Sequence, residues 1–187
     1  MSCNIAVIYT GGLEAIAGAF GEAATHLAAR VRMLSLADED QAQMAAGRPA
    51  PDRGLLEWAD GIAFGTPVGD GRPNPALMTF LETTEPLWNS GRLCEKVVTV
   101  FTDEPERIAP DSVLHPIYDA LYLWGAVIVG PRALEAGLDT GLGHGPLEHG
   151  SHVPVSKLRA TQSRAVRLAR LAGVVAEERH RRERLLL

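Results

Sequence analysis

A few short stretches of this 187-residue chain carry residue types that do chemistry. Thr10-Gly11-Gly12-Leu13 stands directly ahead of a helical pattern. Free N–H groups at a helix start, reached over glycines, suit a phosphate; a tight turn that needs glycine is the plain alternative. Thr66 to Pro75 reads TPVGDGRPNP, and Thr102 to Pro110 reads TDEPERIAP. Asp70, Asp103 and Glu104 in these two loops are candidates for a general acid or base. His144, His149 and His152, with Glu148, are of zinc-ligand type. Their spacings on a glycine-rich stretch fix no ligand set, so no metal site is assigned. Asp38-Glu39-Asp40 would suit an acid pocket only if acids also followed the first strand, where Thr10 and Gly11 stand. There is no GxSxG, HExxH or P-loop pattern, so no side-chain nucleophile or triad is indicated.

The elements that must position these loops are legible from periodicity. Residues 4–9 (NIAVIY) are a continuous apolar run that predicts a buried strand. Leu13, Ile16, Ala17, Phe20, Ala24, Leu27 and Ala28 then fall on one helical face. Further strands are predicted at 31–36, 61–65, 96–101 and 126–130. Helices are predicted at 55–60, 76–82, 112–124 and 155–179, followed by a basic, frayed tail. Arg159, Arg164, Arg167 and Arg170 are expected on the solvated side of the last helix. Apolar strands alternating with helices give a parallel sheet covered on both faces. Five of each predict an α/β three-layer sandwich of the flavodoxin-like type, as one domain over 1–187. In such sheets ligands bind beyond the carboxyl ends of the strands, where strand order reverses. The loops starting at Thr10, Thr66 and Thr102 all lie there.

Composition narrows the classes. The net charge is −5 and no basic stripe runs along the body, so nucleic acid is not the expected partner. No stretch reaches the roughly 18 apolar residues a membrane span needs. Cys3 and Cys94 lie far apart with no CxxC spacing, which argues for a reducing, cytoplasmic setting.

The segments Ala59-Asp60-Gly61-Ile62-Ala63-Phe64-Gly65-Thr66-Pro67, Met78-Thr79-Phe80-Leu81-Glu82-Thr83-Thr84, Leu87-Trp88 and Ser90-Gly91 resemble the WrbA-type NAD(P)H:quinone oxidoreductases. The likeness continues through Val97–Phe101, Trp124–Val129 and Gly150-Ser151. The resemblance implies a flavodoxin-like fold and FMN held by three loops. It places Thr10, Gly11, Gly12 and Leu13 at the phosphate. Thr66, Pro67, Val68, Gly69, Asp70, Gly71, Thr102, Asp103 and Glu104 fall around the ring. It also implies NAD(P)H as co-substrate, a quinone or other small-molecule acceptor, and homodimers or homotetramers.

All three loops depart from the family pattern. The first is about two residues shorter and keeps one hydroxyl, Thr10. The second has Gly69 and Asp70 where an arginine–aromatic pair is usual. The third replaces a Gly- and Ser-rich turn by carboxylates, which disfavour added negative charge on a reduced flavin. Glu14 could satisfy the helix start from within. Two expectations therefore stand side by side: an FMN oxidoreductase, or a flavodoxin-like scaffold that has lost FMN and serves as a binding module or a different enzyme.

Overall fold

The computed structural model describes residues 3–37, 53–69, 72–103, 111–130, 153 and 155–185. Strand β1 (Asn4–Thr10) is followed by α1 (Glu14–Thr25), β2 (Arg30–Leu36), α2 (Arg53–Trp58) and β3 (Gly61–Gly65). A hairpin of β4 (Val68–Gly69) and β5 (Arg72–Pro73) leads into α3 (Pro75–Glu82) and α4 (Glu85–Asn89). Then come β6 (Val97–Phe101), α5 (Asp111–Leu123), β7 (Val127–Ile128) and α6 (Val155–Leu185). The main sheet has the order β2-β1-β3-β6-β7 and every pairing in it is parallel. This is the doubly wound order of flavodoxin-like folds, with its reversal at β1.

The strands are apolar on both faces because both faces are covered. Ile5, Ala6, Val7 and Ile8 are all fully buried. Alternation sends Ile5 and Val7 into one core with Leu13, Phe20 and Leu168 from the α1 and α6 side. Ala6 and Ile8 enter a second core with Leu55, Leu77, Phe80 and Ile117. Trp124 anchors that second core, edge-on to Phe64 at 5.8 Å between ring centres.

The departures from the sequence pattern have local causes. Helix α1 stops at Thr25, short of Ala28. The Thr25 hydroxyl bonds back to the Gly21 carbonyl (2.9 Å), and Ala28 turns left-handed at φ 59°. The β4–β5 hairpin and α4 carry too few residues to show a period. The last strand is only two residues long; past it the Val129 amide still donates to the Val98 carbonyl (2.7 Å), while the Val129 carbonyl accepts from the Thr99 hydroxyl (2.8 Å). Arg164 donates to the Val100 carbonyl and Arg167 to that of Gly130, each at 2.8 Å. Arg164 is therefore buried, not on the solvated face, and burial beside Arg167 lowers its pKa to about 10. The tail is also corrected. Helix α6 runs on to Leu185, tied by Arg179 to Asp60 (2.6 Å) and by Arg182 to Glu95 (2.9 Å).

At the amino-terminal edge of the sheet, Asp60 accepts from the Asn4 amide (3.0 Å) as well as from Arg179. Lys96 is buried there and donates to the carbonyls of Glu57 (2.9 Å) and Ala59. Burial, reinforced by the Arg179 charge and opposed by Asp60 and Glu57, lowers the Lys96 pKa to about 8. This cluster locks α6 to the sheet from the side opposite the candidate site. Among the described residues no helix is long and apolar enough to cross a membrane. Cys3 and Cys94 are both free thiols.

Candidate functional site

The three central strands end level with one another. Tyr9 pairs with Gly65 and Gly65 with Phe101, so the loops that follow β1, β3 and β6 open at one edge. The register depends on Gly65. A Cβ there would lie 2.5 Å from two atoms of the Phe101 ring and 2.9 Å from the Tyr9 Cβ. Phe101 uses that space to stack on Phe20, with ring centres 5.5 Å apart. Aromatic packing under the edge thus sets the level from which the loops depart.

In the first loop, Thr10 is the last residue of β1 and is 1% exposed, yet its hydroxyl has no hydrogen-bond partner. A buried, unpaired hydroxyl is costly and calls for an explanation. Gly11 and Gly12 follow, and a Cβ on either would meet nothing within 4 Å, so open space stands over both. Gly12 has φ +88°, which favours glycine. Helix α1 then begins with Leu13 as its N-cap, and no side chain caps it. Glu14, which could satisfy the helix start from within, is the first helical residue. Its carboxylate folds back to accept from the Gly12 amide at 3.3 Å. An anion at this edge would meet amide donors at a helix start, with the unpaired Thr10 hydroxyl buried just beneath the two glycines.

The second loop is preformed. The Thr66 amide donates to the Phe101 carbonyl (3.1 Å), adding one rung past the β3–β6 ladder. The buried Thr66 hydroxyl accepts from the Asn74 amide at 2.8 Å. Asn74 in turn caps α3, its Oδ1 accepting from Ala76 at 2.8 Å, with Pro75 at the first helical position. Thr66 therefore closes its own loop. The cap role of Asn74 is foreshadowed by the Asn-Pro pair ahead of an apolar helical run. Pro67 precedes the hairpin, Val68 and Gly69 form its first strand, and Arg72 is exposed. Asp70 and Gly71 lie outside the described residues.

In the third loop, Thr102 is buried. Asp103 accepts from the Val68 amide with Oδ1 at 3.0 Å. The sequence pattern gave no sign that this carboxylate binds a loop 35 residues earlier. Glu104 lies outside the described residues, as do Asp38–Asp40, Glu148 and the three histidines at 144, 149 and 152. Among the described residues no cluster of His, Cys, Asp or Glu could hold a metal ion.

No family model matches the chain. It is 31% identical over 77 residues to the NAD(P)H dehydrogenase (quinone) of Deinococcus radiodurans, a stretch covering 41% of this chain and 38% of that protein. The chain thus matches less than two fifths of that relative's length. In structure it is similar to a WrbA-like flavodoxin from Agrobacterium tumefaciens, with a TM-score of 0.62 at 19% identity over 91% of this chain and 97% of that one. It is also similar to general stress protein 14 of Treponema denticola, solved in complex with FMN, with a TM-score of 0.55 at 11% identity over 90% and 99%. These likenesses establish a flavodoxin-like fold.

Proposed function

We propose that this chain, a divergent flavodoxin-like relative of the WrbA-type NAD(P)H:quinone oxidoreductases, is an FMN-dependent oxidoreductase that passes electrons from NAD(P)H to a quinone or similar acceptor. The observation that carries the reading is the buried, unpaired Thr10 hydroxyl, which stands ahead of two open glycines at the edge where β1, β3 and β6 end. Those residues fit a phosphate, so Thr10 and the amides of Gly11, Gly12 and Leu13 would hold that of FMN. Pro67, Val68, Gly69 and Thr102 would border the ring, largely through backbone. When bound, the flavin supplies hydride acceptance and electron transfer, and the protein's part is position and electrostatics. Of the third-loop carboxylates, Asp103 is held toward the second loop by the Val68 amide. Dimers or tetramers belong to the same reading.

A second reading, a scaffold without FMN, is favoured by Glu14, which already occupies the Gly12 donor. One substitution separates the two. Thr10→Val keeps the shape and removes the hydroxyl. Without ligand it should stabilise the protein by about 1 kcal/mol, because an unpaired buried hydroxyl is removed. It should weaken FMN binding roughly tenfold and leave riboflavin, which lacks the phosphate, unchanged. Equal FMN affinity in both proteins would remove the phosphate from Thr10, and no FMN uptake by either would leave the scaffold reading ahead.

A further inference from the structure

The parallel ladder between β3 and β6 ends with the bond from the Thr66 amide to the Phe101 carbonyl. Past that rung the two chains would be free to separate, since one turns into the β4–β5 hairpin and the other into the third loop. The Asp103 carboxylate spans the gap, accepting the Val68 amide at 3.0 Å. A side chain thus takes over where the main-chain ladder stops. The contact belongs to a closed circuit. Val68 pairs with Pro73 across the hairpin, Asn74 donates to the Thr66 hydroxyl, and Thr66 returns to Phe101. Asn74 also caps α3, so the circuit runs from the end of β6 to the start of that helix.

We propose that Asp103 is a positioning residue that clips the second and third loops together and sets the width of the ligand edge between them. The inference rests on the FMN reading but adds a role that a glycine or serine at this position could not fill. A glycine has no side-chain acceptor, and a serine hydroxyl is one bond shorter in reach and uncharged. A carboxylate accepting an amide is among the stronger hydrogen bonds available here. The first carboxylate of the third loop is thus spent on holding the two loops together.

Two variants test this. Asp103→Ala removes the acceptor, whereas Asp103→Asn keeps an oxygen at the same reach. Amide hydrogen exchange over residues 66–74 reads the clip without any ligand. FMN titration, followed by quenching of flavin fluorescence, reads its consequence. Asp103→Ala should speed exchange at Val68 by about tenfold or more and weaken FMN binding by a similar factor. Asp103→Asn should restore most of both, which a role confined to overall stability would not predict. Unchanged exchange at Val68 in Asp103→Ala would overturn the clip. Faster exchange with unchanged FMN affinity would overturn its positioning role alone. If even the wild-type protein takes up no FMN, the parent reading fails and this role fails with it.

Discussion

Phe101→Ala should lower folding stability by about 4 kcal/mol, the range found for buried aromatic-to-alanine changes. Phe101 is 2% exposed and stacks on Phe20 with an interplanar angle of 19°. Truncation leaves a void between β6 and α1 that neighbours on a parallel sheet cannot close without shifting strands. In thermal unfolding the midpoint should fall by roughly 12 °C for a chain of this length. The claim that this ring sets the sheet edge is testable beyond the size of the loss. Gly65→Ala alone should cost about 2 kcal/mol, because its Cβ would meet the Phe101 ring at 2.5 Å. In the Phe101→Ala background most of that cost should vanish, leaving only the 2.9 Å approach to the Tyr9 Cβ. Strict additivity of the two changes would contradict the packing described.

Asp60→Ala should cost about 3 kcal/mol, measured by urea unfolding. Its carboxylate is 12% exposed and Arg179 is 25% exposed, so water screens the pair only in part. Removing the acid leaves the guanidinium and the Asn4 amide without their acceptor in a half-buried setting. It also leaves Lys96 in a less favourable field. Asp60 supports the charged form of that lysine, which burial and Arg179 already oppose. Asp60→Asn should recover part of the loss by keeping an acceptor for the Asn4 amide. A loss under about 0.5 kcal/mol would assign the contact to the ordinary surface pairs that contribute little. Arg182 with Glu95 is such a pair, at 53% and 39% side-chain exposure, and its removal is expected to be nearly silent.

These residues also mark where sequence reading reaches and where it stops. β1 was legible because Ile5 to Ile8 must be buried on both faces, and only a covered parallel sheet does that for a short apolar run. That the loops after β1, β3 and β6 open at one edge followed from the parallel α/β pattern. Arg164 was not legible. Helical spacing puts it near Arg159, Arg167 and Arg170, and nothing in that spacing says that a two-residue edge strand leaves the Val100 carbonyl to be taken. That Asp103 also holds a main-chain amide is not legible either, since that amide belongs to a loop 35 residues away. Thr10 was recognised by type, but its lack of a partner is a property of packing. The end of α1 was overrun because the back-bond from Thr25 competes locally with an apolar period that continues to Ala28.

The most direct test of the central claim is the visible absorbance spectrum of the purified protein after incubation with FMN and removal of the excess. Retained flavin bands, bleached anaerobically by NADH or NADPH and restored by a quinone, are the predicted result. A protein with normal far-ultraviolet circular dichroism that retains no flavin would contradict the assignment. It would leave the Thr10 edge as a site for some other anion.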